Sequence, residues 1–489
     1  MRAAIATSVL TLAAAGLLAG CPDRGISKVD PAQGRVEYKD IPVKVNRDVD
    51  LLFLIDDSPS MADKQKNLAA NFQKFIDVLS TIQGGLPNIH IGVTTSDLGS
   101  KGADDPMAGL GIGTIGQGGC SGLGKDGNMQ LYGAPVNGGQ YISDIAQADG
   151  TRIQNYPPGT LAATFAKIAT GAGAGGCGFE QHLEGVRQAL TSTNTVNAGF
   201  LRPDAYLAVV IIADEDDCSM SHSTLISGGD TSPLGALQSF RCTRYGVLCD
   251  DNGATTATMN QVGPKGKCHP NDDSAFLTKV SDYVDFLKGL KPDDPSKIIV
   301  AGIVGDVEPF SVEMRAPPMM TKKLPALAHS CTYNGADGVE VADPAVRIKF
   351  FLDQFPNRST FVSICQQDLS AGLQQIGDLL KSVIGDPCIE GALADVDLKT
   401  PGPQYDCAVS AVNNLNMDNQ TETILPKCTP EDATATNQPC WHLVLDAANC
   451  AKTPTQLTLK VEGQDTLASD THVIANCVTQ VTDDSTPTP

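Results

Sequence analysis

Apolar positions along the chain keep switching between an unbroken rhythm and one that returns every three to four residues. Val49-Asp50-Leu51-Leu52-Phe53-Leu54-Ile55 is nearly continuous, as in a strand buried on both faces of a parallel sheet, and it stops at Asp56-Asp57-Ser58-Pro59-Ser60. Leu68, Phe72, Phe75, Ile76 and Leu79 then share one helical face, predicting an amphipathic helix that opens near Asp63. Ile89 to Thr95 reads as a second strand, and the Gly-rich stretch from Gly99 to about Gly139 as a loop closed by Cys120. A stripe of Phe179, Leu183, Val186 and Leu190 precedes the most strand-like run, Tyr206 to Ile212, which ends at Ala213-Asp214-Glu215-Asp216-Asp217. Beyond it come a helix from near Phe276, a strand Ile298 to Val304, a short helix Val346 to Leu352, a strand Phe361 to Cys365, and a helix through Leu369, Leu373, Ile376 and Leu380. Strands alternating with helices predict an α/β domain over 46–385: a Rossmann-like, mainly parallel sheet with helices on both faces. After Gly385-Asp386-Pro387 the rhythm shortens to alternating runs such as Trp441 to Leu445 and Leu457 to Val461, with six cysteines between 388 and 477. That predicts a small disulfide-rich β module over 386–480, followed by a disordered tail at 481–489.

The ends of the chain and its cysteines set the compartment. Met1-Arg2 is followed by an apolar run from Ala3 to Gly20, and Leu18-Ala19-Gly20-Cys21 resembles the lipobox of bacterial lipoprotein signal peptides. The resemblance implies that 1–20 is a signal peptide and that Cys21 carries the lipid; the alternative is an ordinary secretory signal. Residues 21–45 then read as the lipidated Cys and a polar tether. The expected place is the bacterial cell envelope, lipid-anchored, with inner and outer membrane both open. Fourteen of the 15 cysteines remain after Cys21, an even number that suits a disulfide framework in an oxidising compartment. No C-x-x-C pair supports zinc; Cys242 and Cys249, with six residues between them, suggest a loop clamp, and residues 218–275 look like a disulfide-stapled insertion. The formal charge of −21 repels phosphate backbones, so nucleic acid is not an expected partner.

The candidate chemistry lies at the end of the first buried strand. Asp56-x-Ser58-x-Ser60 offers a carboxylate and two hydroxyls within five residues, a set of hard oxygen donors that suits Mg²⁺, Mn²⁺ or Ca²⁺ and does not suit zinc or copper. Ligands of open α/β sheets bind at that edge. With the later strand ending in an acidic loop, the pattern resembles the von Willebrand factor type A domain and its metal-ion-dependent adhesion site, over about residues 46–385. The resemblance implies a divalent cation, Mg²⁺ first and Ca²⁺ or Mn²⁺ as alternatives, held by Asp56, Ser58, Ser60 and Asp214. It departs from the family at Ala213 and Glu215, which stand for Thr and Gly, and above all at Cys177, which stands in Gly175-Gly176-Cys177-Gly178 where the family has a ligating Thr. Glu180 or Asp216 is open as compensation, as are Thr94, Thr95 and Ser96 from the second strand, an extra water, or weak binding. Glu215, Asp216 and Asp217 either favour Ca²⁺ over Mg²⁺ or form a solvated acidic loop. Asp and Ser are also ordinary helix caps, so a turn without metal is the plain alternative.

Such a site implies adhesion rather than catalysis: an extracellular or envelope protein ligand would supply a carboxylate to the cation. A structural envelope lipoprotein with a vestigial metal site is the second expectation. No G-x-S-x-G or H-E-x-x-H motif supports a hydrolase, and His182, on a predicted helix, reads as structural. Gly119-x-x-x-x-Gly124-Lys125 imitates a phosphate loop but has Asp126 where Ser or Thr belongs, and it reads as a flexible loop.

Overall fold

The structure is a computed structural model that describes residues 35–480, apart from 43–45, 83–84, 148, 318–320, 337, 386–387, 390, 400, 416, 418, 448–449, 451–452 and 469–470. The signal-peptide reading, Cys21 and the 481–489 tail lie outside the described residues. The chain divides into two compact units: Lys44–Asp386 with Asn414–Asn419, and a second built from Met1–Val43, Pro387–Asn413 and Gln420–Pro489.

The larger unit is mixed α/β around a mainly parallel seven-stranded sheet. Its strands in chain order are β1 (Asp48–Ile55), β2 (Asn88–Thr95), β3 (Ile142–Ala146), β4 (Arg152–Gln154), β5 (Tyr206–Ile212), β6 (Ile298–Val304) and β7 (Ser359–Ser363). Across the sheet they run β7-β6-β5-β1-β2-β3-β4, parallel from β7 to β2 and antiparallel at β3 and β4. The runs of β5 and β6, and of β1 beyond Asp50, are apolar because both their faces are covered. Helices α1 (Ala62–Leu79), α2 (Leu161–Gly171) and α6 (Ser370–Gly385) pack on one face, where Phe53 meets Phe72 and Phe165 edge-on at 5.8 and 4.8 Å. The other face holds α3 (His182–Leu190), α4 (Val280–Gly289) and α5 (Val346–Asp353). Gly185 is required in α3: a Cβ there would stand 2.9 Å from the Thr95 carbonyl oxygen.

Register places the site. Ile55 is level with both Thr95 and Ile212, so the turns after β1, β2 and β5 open at one edge. The chain order reverses between β1 and β5, and the crevice of an open α/β sheet forms at such a reversal.

Several expectations are corrected. Helix α3 begins at His182, not Phe179, and α4 at Val280, because Leu277 is held in a bridge to Met220. β3 and β4 are only five and three residues long, and α2, an Ala-rich helix, lies in a stretch that sequence reading left unassigned. A four-stranded antiparallel sheet, Leu324–Leu327, Phe310–Arg315, Gly263–Pro270 and Val247–Asp251, joins the insertion read at 218–275 to the stretch between β6 and α5, to which sequence reading assigned no element. Cys242 and Cys249 do not clamp one loop together: Cys242 pairs with Cys218, and Cys249 with Cys268 across adjacent strands.

In the second unit, Arg35–Pro42 is a strand rather than tether. It pairs antiparallel with His472–Thr479, which pairs in turn with Cys407–Asn413 and then Thr421–Ile424. Asp40 and His472 meet in a buried hydrogen bond at 2.8 Å within that sheet. Cys440–Leu445 and Leu457–Glu462 make a separate ribbon. Disulfides Cys388–Cys450, Cys407–Cys477 and Cys428–Cys440 tie this unit; Cys120–Cys177, Cys218–Cys242, Cys249–Cys268 and Cys331–Cys365 tie the larger one.

Candidate metal centre

Asp56 is the first residue past β1, and its N–H still donates to the Ile212 carbonyl at 2.9 Å, so sheet pairing fixes where its carboxylate points. The turn curls because Asp56 Oδ1 accepts the Ser58 N–H at 2.8 Å, an Asx-turn, and Pro59 then opens a single helical turn before α1. The result is a chain of oxygens. Ser58 Oγ lies 3.2 Å from Asp56 Oδ2 and 3.0 Å from Ser60 Oγ, and Ser60 Oγ lies 3.2 Å from Asp214 Oδ1. All four sequence-predicted residues therefore meet, although 154 positions separate Ser60 from Asp214. Asp56, Ser58 and Asp214 are buried, while Ser60 sits at the exposed rim. Glu215 joins them: carboxylate oxygens of Asp56, Asp214 and Glu215 lie within 4.8 Å of one another.

The donors fit a divalent cation. Oxygens about 2.1 Å from an octahedral ion stand about 3.0 Å apart along each edge, and 3.0–3.2 Å is the spacing found here. Glu215 Oε2 is shielded from water and has no hydrogen-bond partner. Burial and mutual repulsion with Glu180, Asp214 and Asp56 push the Glu215 carboxyl well above the ordinary range, and burial with Asp56 nearby raises Glu180 and Asp214 in the same direction.

The compensating candidates separate cleanly. Cys177 is buried in its bond to Cys120 and offers no oxygen. Ser96 Oγ donates to Asp56 Oδ1 at 3.0 Å and so supports the cluster from β2, whereas Thr95 Oγ1 accepts from the Asp97 N–H at 3.3 Å. Asp216 is occupied elsewhere: it accepts the N–H groups of Arg347 and Ile348, at 3.0 and 3.1 Å, at the start of α5. Asp217 accepts the Leu183 N–H at the start of α3 and pairs with the Arg347 guanidinium at 3.1 Å. These two acids staple helix ends and are not a solvated loop. Glu180 is buried but is not one of the three acids whose carboxylate oxygens lie within 4.8 Å of one another.

Three residues of the site were missed in the sequence. Lys64 is fully buried; its Nζ lies 3.0 Å from Asp214 Oδ2 and bonds Glu340 Oε2 at 2.9 Å and the Ser60 carbonyl at 3.1 Å. The signal was available, because Lys64 stands four residues before Leu68 on the buried stripe of α1. Gln65 Nε2 donates to the Asp56 carbonyl at 2.8 Å. Lys125, in the stretch read as a flexible loop, forms an ion pair with Asp57. Burial nevertheless pushes the Asp57 carboxyl up to about 7. His182 is buried with Nε2 3.7 Å from Asp56 Oδ2, beyond hydrogen-bond reach.

No protein-family model matches the sequence, and no curated protein matches it at a significant level. Among the described residues no helix is long and apolar enough to cross a membrane.

Proposed function

We propose that this chain is a non-enzymatic, exported binding protein of the von Willebrand factor type A kind, anchored to the bacterial cell envelope through Cys21. Asp56, Ser58, Ser60 and Asp214 would hold a divalent cation, and an envelope or extracellular protein would be its partner. The observation that carries this reading is the run of oxygens from Asp56 through Ser58 and Ser60 to Asp214, spaced 3.0–3.2 Å apart at the reversal point of the sheet. A bound cation would supply a Lewis-acidic position at which a partner's Asp or Glu replaces water. The chain's own residues set that position: the Asx-turn fixes Asp56 and Ser58, Ser60 keeps the rim open, Gln65 holds the Asp56 carbonyl and Ser96 holds its carboxylate. Export and anchoring rest on Leu18-Ala19-Gly20-Cys21 and on the seven disulfides, which suit an oxidising compartment.

A structural envelope protein with a vestigial site is the second reading. The specific observation in its favour is Lys64, whose ammonium already meets Asp214, together with the loss of the Thr ligand at Cys177.

Affinity capture separates the two. Immobilised chain is incubated with envelope extract in Ca²⁺ plus Mg²⁺ or in EDTA, beside Asp214→Ala. Retention of a protein that EDTA and the substitution both abolish is the expected result. Retention indifferent to EDTA would favour the structural reading.

A further inference from the structure

Away from the acidic turns, the insertion between β5 and α4 encloses a cavity of about 190 Å³. Its frame is set by Arg241, which is almost wholly buried and forms no ion pair among the described residues. The guanidinium donates instead to five backbone carbonyls, those of Leu225, Ser227, Gly229, Gly235 and Ala236, at 2.8–3.1 Å. Carbonyl dipoles solvate the buried charge and leave its sign uncancelled. They also draw residues 225–236 into a ring that walls the cavity. The short helix Phe240–Gly246, which carries Arg241, is tied by the disulfide Cys218–Cys242, and the strand Leu324–Leu327 closes the far wall.

The lining combines apolar surface with donors. Leu234, Phe240, Leu324 and Pro325 are apolar, while Arg244 and Asn260 are polar. Arg244 Nε and Nη1 donate to the Thr256 and Leu234 carbonyls at 3.2 and 2.9 Å, and its guanidinium lies 5.0 Å from the Tyr245 ring centre, so its position is fixed. Arg244 Nη2 and the Asn260 carboxamide have no hydrogen-bond partner among the described residues. Asp230 is the acid on the wall; it is exposed, and its Oδ1 accepts the Leu237 N–H at 3.0 Å. Two guanidinium groups against one solvent-screened carboxylate make the cavity positive, in a chain with 56 acidic and 35 basic residues. A fixed guanidinium beside a free carboxamide suits a carboxylate, and the apolar lining suits a carbon body. Size follows from volume: a cavity of about 150 Å³ takes benzene, so this one has room for a ring or branched chain with its carboxylate. We propose that the cavity binds a small organic monocarboxylate, its carboxylate on Arg244 and Asn260 and its apolar body against Phe240 and Leu324. The site requires no divalent cation and is independent of the metal centre.

The test is a titration of the full chain in EDTA, followed by saturation-transfer NMR, with benzoate and 3-methylbutanoate beside their neutral amides. Wild type is compared with Arg244→Gln, with Ala236→Leu, which extends a side chain into the cavity, and with Asp56→Ala; a melting curve verifies that each folds. At least one carboxylate is expected to saturate the wild type with a Kd of about 1 mM or less. Its amide should bind at least about tenfold more weakly, and sulfate at equal concentration should not displace the carboxylate. Arg244→Gln should weaken the carboxylate by roughly 10–100-fold and the amide by less than about threefold, whereas a merely structural role would weaken both alike. Ala236→Leu should abolish binding of both, and Asp56→Ala should alter neither. The proposal is overturned if neither carboxylate saturates by about 10 mM. It is overturned equally if acid and amide bind alike in the wild type, if sulfate displaces the carboxylate, or if the filled cavity binds as the open one does.

Discussion

Arg347→Met is expected to lower the unfolding free energy of the α/β unit by about 3–5 kcal/mol, the usual cost of stranding one partner of a buried ion pair. Arg347 is almost wholly buried; its guanidinium meets Asp217 Oδ2 at 3.1 Å and donates to the Thr278 carbonyl at 2.8 Å. Met retains the packing of the stem and removes the charge. Asp217 would be left ionised in the interior while still capping α3 through the Leu183 N–H. The loss should therefore be relieved by removing the second charge as well. In urea unfolding, Arg347→Met/Asp217→Asn is expected to recover most of the deficit, and a double variant no better than the single would locate the cost in packing instead.

Lys64→Met carries the second large effect, and its sign depends on cation. In EDTA the substitution strands Asp214 and Glu340, both held by the Lys64 ammonium, at a cost of about 3–5 kcal/mol. With Ca²⁺ the same change removes a positive charge beside the cation. Unit charges about 4 Å apart interact by a few kcal/mol at an effective dielectric near 20, so affinity should rise tenfold or more. The variant is expected to unfold readily in EDTA and to recover strongly in Ca²⁺, which makes the fold cation-dependent. Equal destabilisation in both buffers would mean that Lys64 is a plain core ion pair and that no cation enters beside it.

What the sequence disclosed follows from the range of the forces involved. Tyr206–Ile212 was legible to the residue because a strand covered on both faces has no polar alternation to blur it. Helix α1 was legible because its stripe is long. Strand Arg35–Pro42 was not, since its partner stands far along the chain: 432 positions separate Asp40 from His472. The sheet built on Phe310–Arg315 was hidden for the same reason, with Gly and Pro breaking the alternation in its neighbour Gly263–Pro270.

The candidate site divides along the same line. Asp56, Ser58 and Ser60 are close in sequence and read as a unit, and Asp214 was found because it ends the most obvious strand. Lys64 escaped because a lysine on an apolar stripe is ordinarily read as solvent-facing, and only Glu340 and Asp214, both remote, make its burial affordable. Asp216 and Asp217 read as solvated acids because their partner, Arg347, is 131 and 130 positions away.

The central claim is that the loops after β1 and β5 form a cation site, and thermal unfolding tests it most directly. The full chain would be melted metal-stripped and then with Ca²⁺, Mg²⁺ or Mn²⁺, beside Asp56→Ala and Asp214→Ala. At a cation concentration 100 times the dissociation constant, the wild type should gain about 2.7 kcal/mol and neither variant should respond. A wild type that ignores all three cations, or variants that respond as it does, would contradict the claim and leave Asp56-x-Ser58-x-Ser60 as a helix cap.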